Sequence, residues 1–254
     1  NVAGSEVLMD AVGDVTQEGS INVTGSESTI ANIIGAKLVA GGNVYVGDGD
    51  VTASKVTLTA GKNVSVSGGN IKADNGEVNL TAGVNVRIAG GDIYTANGVV
   101  NLTAGANANI AGGSILAQAG NVKINAEQNV EQANGSIDVG AGSIEIDAGD
   151  SVTQSNGSML AAEGTISINA TNNIKLYDGQ MQAKQATLVA TNGYIDQNYN
   201  NDSTSFNGYA LNVTDNLIVA AGNKGNNATA INLGSRFNEL QNVVLKASKG
   251  DILI

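Results

Sequence analysis

Apolar and polar residues alternate along much of this chain. Val56, Leu58 and Ala60 are apolar, and Thr57 and Thr59 between them are polar. A period of two over four or five residues is the signature of a half-buried β-strand. The same short alternation returns at Val78–Ala82, Val100–Ala104, Val122–Ala126 and Ile144–Ala148. The interval is constant, and five 22-residue units follow one another without a gap: 56–77, 78–99, 100–121, 122–143 and 144–165. Flanking units at 36–55 and 166–185 have 20 residues each.

Stacking the units turns positions into columns. One reads Leu58, Leu80, Leu102, Ile124, Ile146, Ile168. A second reads Val64, Val86, Ala108, Val130, Val152, Ile174, and a third Ile71, Ile93, Ile115, Ile137, Met159, Met181. Each unit therefore predicts three short strands. The punctuation is as regular. Gly69, Gly91, Gly113, Gly135, Gly157 and Gly179 share one column, each preceded by Gly, Asn or Asp. Such pairs place the chain at positive φ. A further column holds Gly76, Gly98, Gly120, Gly142 and Gly164.

An Asn-Gly pair between apolar runs usually signals a hairpin. Hairpins, however, pair strands within a unit and leave identity between units unexplained. Identity at a fixed period follows if like residues stack, as in a parallel β-helix where each unit is one coil. No coil can bury its own apolar face alone, whereas a stack can. The predicted fold is all-β: a parallel β-helix, or solenoid, of about 22 residues per coil. It is read as a single segment over 1–254, with regular coils at about 36–197, an irregular insertion at about 196–216 and resumed coils at 217–254.

Two polar columns refine this. Asn43, Asn63, Asn85, Asn107, Asn129, Ser151 and Asn173 align, and stacked amides can form a ladder. Gln17, Gln132, Gln154 and Gln197 stand where Val66, Ile88 and Ile110 stand in other units. If buried, they must bond to each other or to the backbone. Otherwise this corner is open to water.

The chain has no Cys, Pro, His or Trp, and carries a net charge of −11. It therefore lacks disulfides, thiolate metal sites and the commonest general base. Its acidity argues against a nucleic-acid partner. No apolar run is long enough for a transmembrane helix, and residues 1–30 show no signal-peptide pattern. Asp48 and Asp50 in a GDGD turn are a weak calcium candidate, which no neighbouring unit repeats. Asp138, Glu145 and Asp147 fall on outward positions with no basic cluster beside them, so no enzyme, cofactor or metal site is expected. The expected contact residues are the outward Tyr94, Leu116 and Leu160, and the aromatics Tyr199, Phe206 and Tyr209 of the irregular stretch.

Units of the form VxLTAGxNVxIxGGxIxAxxG, with VxQ-x-NGS at Val130–Ser136 and Val152–Ser158, resemble the repeats of filamentous haemagglutinin-like adhesins. These are exoproteins of bacterial two-partner secretion. The resemblance covers about 36–197. It implies a right-handed helix, export to the bacterial cell surface or medium, and service as a stalk or fibre in adhesion or biofilm. The family's secretion domain carries Asn-Pro motifs, so a chain without Pro is expected to be an internal slice. Partners are expected to be a second copy end to end, neighbouring coils of a longer chain, or a host receptor or polysaccharide. The competing functions are a carbohydrate- or receptor-binding module and, least favoured, a polysaccharide-degrading β-helix enzyme.

Overall fold

A computed structural model describes residues 2–4, 7–23, 35–198, 209–225, 227–235 and 238–254. It is a β-solenoid built from parallel strands, with no helix among the described residues. Each regular coil has three faces. Face one carries the five-residue strands, such as Val56–Ala60, Val78–Ala82 and Val100–Ala104. Face two carries strands such as Val64–Ser67, Val86–Ala89 and Ala108–Ala111. Face three carries strands such as Ile71–Ala73, Ile93–Thr95 and Ser114–Ala117. Face two forms an 11-stranded sheet from Val15–Gln17 to Asp251–Leu253, one strand per coil.

The register is the one the columns demand. Leu58 pairs with Leu80, Leu80 with Leu102 and Leu102 with Ile124. Val64 pairs with Val86, and Ile71 with Ile93. Adjacent parallel strands lie roughly 4.8 Å apart, so eleven rungs make a rod about 50 Å long. The inward residues of all three faces meet in one apolar core, almost wholly buried from Ala36 to Leu233. One column continues through every rung of face one. It is alanine eleven times, at positions 11, 40, 60, 82, 104, 126, 148, 170, 190, 221 and 247.

The corner between faces one and two is held by the asparagine ladder. The Asn63 backbone N–H and Nδ2 donate to Asn43 Oδ1 at 3.2 and 2.8 Å. Asn85 repeats this onto Asn63, Asn107 onto Asn85, and Asn129 onto Asn107. The ladder begins at the Asp14 carboxylate, which accepts from Asn43. Past Asn129 it passes through Ser151 and Asn173 and ends on the Tyr194 N–H. Each carboxamide thus satisfies a backbone donor that the turn leaves without a strand partner.

The corner between faces two and three has two forms. In the earlier coils the residue at positive φ is Gly68, Gly90 or Gly112. A side-chain ladder runs beside it, from Asp50 through Asn70 and Asp92 to the Ser114 N–H. In later coils Asn134, Asn156 and Asp178 take positive φ. There a backbone ladder replaces the side chains, with Ser158 N–H donating to Gly135 C=O and Gln180 N–H to Gly157 C=O. The following glycine column has a different cause. A Cβ on Gly113 would collide with the Gly91 carbonyl of the coil beneath.

Of the glutamines, Gln132 and Gln154 belong to the second form, whereas Gln17 in the first coil is buried with no partner for its amide among the described residues, against expectation. Gln132 and Gln154 are adjacent and fully buried, so this corner is closed to water. They bond to backbone. Gln132 Nε2 donates to Gly135 C=O at 2.8 Å and to Ser158 C=O at 2.9 Å, and Gln154 Nε2 to Gln180 C=O at 3.4 Å.

The corner between faces three and one changes most. Up to Ile144 it is a turn carrying the second glycine column. Beyond it, faces three and one merge into single strands, Ser158–Ala170, Gln180–Ala190 and Ala210–Ala221, with a register shift in each pairing at the bend. The stack also resumes at Ala210, whereas the sequence pattern marks Leu217. Leu188 pairs with Val219, so the face-one columns continue in register from Gln180–Ala190 to Ala210–Ala221.

Candidate contact surface

Face three presents the outward column expected from alternation. Lys72, Tyr94, Leu116, Asp138, Leu160 and Gln182 are consecutive Cα partners. Leu116 is 36% exposed, and Tyr94 and Leu160 are half-buried. Two neighbours that sequence reasoning passed over hold Tyr94. The Lys72 ammonium lies 5.8 Å from its ring centroid, and its hydroxyl donates to Gln118 Oε1 at 3.0 Å. Both were findable: Lys72 is one unit earlier in the same column, and Gln118 follows the adjacent strand. The aliphatic part is therefore interrupted by Asp138 and flanked by a polar, anchored tyrosine.

Among the described residues, the irregular stretch adds no aromatic to this surface. Tyr199 and Phe206 lie outside the described residues. Tyr209, expected as an exposed contact, is instead fully buried, which corrects its assignment to a surface. Its hydroxyl donates to Gln154 Oε1, two coils away, and its carbonyl accepts from Gln197 Nε2 at 2.7 Å. Gln197 and Asn238 exchange amide hydrogen bonds, Nε2 to Oδ1 at 2.7 Å and Nδ2 to Oε1 at 3.0 Å. Asn238 Oδ1 also accepts from the Leu211 N–H. Burial raises the Tyr209 phenol well above the ordinary tyrosine range, opposed in part by its bond to Gln154. Tyr209 thus works as an internal anchor where the chain re-enters the stack.

Two grooves run along the rod. One, of about 660 Å³, has a floor of Ala82, Ala104, Ala126, Ala148 and Ala170, with Thr103, Asn125, Asp147 and Asn169 at its rim. The other, of about 560 Å³, follows face two past Arg87, Asn109 and Glu131. Carboxylates are dispersed along these surfaces. Glu145 bonds Lys123 at 3.2 Å, and Asp147 accepts from Asn169 at 2.9 Å. Glu77 is held below the usual carboxylate range by its hydrogen bond to Lys55, aided by Asn79 and the Lys55 charge. Asp50, the calcium candidate, accepts two hydrogen bonds from Asn70. Among the described residues no three Asp or Glu side chains gather closely enough to hold a metal ion. No described helix is long and apolar enough to cross a membrane. Compared with protein-family models, curated proteins and solved structures, the chain matches none.

Proposed function

We propose that this chain is an architectural segment of an extracellular bacterial stalk or fibre, of the filamentous haemagglutinin-like adhesin type, serving adhesion or biofilm. It acts by shape and mechanical continuity, not by turnover. The observation that carries the reading is the unbroken register of the face-one columns, held through coils that differ in length and corner chemistry. Conserving register across such changes keeps one core and one set of axial hydrogen-bond ladders. A stalk needs that continuity. The second reading, a receptor- or carbohydrate-binding module, is favoured by the exposed Leu116 beside Tyr94.

One deletion separates them. Removing residues 78–121 excises two coils and brings Val122 into the place of Val78, so the columns close up. Cells displaying the chain with and without these coils are compared for attachment to surfaces and to each other. Retained attachment supports the stalk, which is then about 10 Å shorter by the 4.8 Å rung spacing. Lost attachment by a folded deletion variant overturns it and supports binding through Tyr94 and Leu116.

A further inference from the structure

Over five middle rungs, face two carries its positive charge on one side of a midpoint and its negative charge on the other. The midpoint is Asn109 in the outward row. Arg87 lies one rung before it and Glu131 one rung after it. Ser65 lies two rungs before and Thr153 two rungs after. The adjoining corner repeats the division. There axial backbone hydrogen bonds link Lys62, Val84, Ala106, Gln128 and Asp150 rung by rung. Lys62 therefore sits two rungs before the Ala106 midpoint, and Asp150 two rungs after it. Lys62, Arg87 and Glu131 are exposed, and Asp150 is half-buried. Among the described residues none of these four forms an ion pair within the chain. The five strands end in Ser67, Ala89, Ala111, Ala133 and Ser155, so beside the charged row the strip is low.

We propose that face two docks on face two of a second copy, the two rods lying side by side and antiparallel. The inference goes beyond the architectural reading and does not depend on it. A two-fold axis along the strand Ala108–Ala111 generates the contact. It keeps the Asn109 rung in place and exchanges the rungs before and after it. Arg87 then faces Glu131 of the copy, and Lys62 faces Asp150, each pair occurring twice. Ser65 meets Thr153, hydroxyl to hydroxyl. Within two rungs of the axis no face-two charge meets its like. Three rungs out the balance ends: Tyr45 receives Lys175, but the corner residues Asp48 and Asp178 oppose each other. The charges also select the arrangement, because like charges set across an interface disfavour it. A parallel pair in register puts Arg87 beside Arg87 and Glu131 beside Glu131. Shifting the axis by one rung sets Arg87 or Glu131 against itself. An isologous contact of this kind closes on itself as a dimer.

The test is sedimentation of the 254-residue chain at concentrations up to about 1 mM, since a footprint five rungs long lies at the small end of specific contacts. A monomer–dimer equilibrium is expected, weakening as salt shortens the screening length from about 30 to about 8 Å. Arg87→Glu and Glu131→Arg should each raise the dissociation constant by about tenfold or more. Mixed in equal amounts, the two variants should pair with each other, because opposite charges then meet in both exchanged positions. The chain has no Cys, so introduced cysteines report the geometry. Asn109→Cys, at the axis, should cross-link to itself with a short bismaleimide. Ser65→Cys should not, since its two copies lie four rungs, about 19 Å, apart. It should link instead to Thr153→Cys when those variants are mixed. Thermal melts confirm that each variant folds. A native chain that stays monomeric throughout overturns the inference, and so does Ser65→Cys linked to itself. A dimer indifferent to Arg87→Glu, or single variants that do not pair when mixed, overturns the register. These readouts use the purified chain and hold whether or not it is a stalk, so that reading stands or falls separately.

Discussion

Coils 56–161 and the stretch from 162 onward solve the same problem in different ways. Both must stack inward columns 4.8 Å apart and turn three corners per coil. In the first region every coil has 22 residues, and the corner between faces three and one keeps a glycine at Gly76, Gly98, Gly120 and Gly142. Gly98 N–H donates to the buried Thr95 hydroxyl at 3.0 Å, which in turn donates to Gly76 C=O at 2.9 Å. A corner built on such close backbone approach accepts no side chain. In the second region the coils vary in length, and the same corner becomes a bend within a continuous strand, with Lys184 and Gln185 outside. Repetition permits tight, glycine-dependent corners. Beyond Ile144 the varying coils instead use looser bends, and a buried polar network joins Gln154, Tyr209, Gln197 and Asn238 across them.

That contrast can be broken experimentally. The largest effect is expected for Gly98→Val, whose Cβ would collide with the Gly76 carbonyl. It should cost about 3 kcal/mol by overpacking, whereas Lys184→Val at the equivalent corner should stay within about 0.5 kcal/mol. Urea denaturation of both variants measures the difference, and equal effects would refute the two-corner account.

Tyr209→Phe comes next. It leaves the buried Gln154 Oε1 without its donor, at about 1–3 kcal/mol. It should also change the pH profile. The folded phenol is raised above the unfolded one, so this contribution is full below pH about 10. Above that pH the unfolded chain releases a proton that the folded chain keeps, and stability falls toward the folded pKa. Alkaline melts should show that part of the slope in the native chain and lose it in Tyr209→Phe.

Asn107→Ala should cost about 1 kcal/mol, because the Asn129 N–H and Nδ2 lose their acceptor in mid-ladder. The same change at Asn173, the ladder's last amide, should cost less, since only the Tyr194 N–H depends on it. The backbone conformation itself is tested at Asn134, with φ of 56°. Asn134→Ala should lose about 1 kcal/mol, and Asn134→Gly should be near neutral.

Much of the architecture was legible because a solenoid converts spatial contact into sequence periodicity. Leu58 touches Leu80, so the two are alike, and the same holds for Asn63 and Asn85. The outward positions of Tyr94, Leu116 and Leu160 followed from alternation alone. Tyr209 did not follow. Its polar, aperiodic surroundings read as surface, and its partner Gln154 is 55 residues away with no repeat to link them.

The amino-acid sequence by itself determined the strands, their parallel register and the positions needing glycine or asparagine. Each of these is a local or once-per-coil constraint, so it recurs and can be read. Tertiary structure alone decided what occurs once. It set the merging of two faces into bent strands, the carbonyls that Gln132 and Gln154 choose, and the burial of Tyr209. These depend on which atoms the completed stack brings together, and a contact made once leaves no period in the chain.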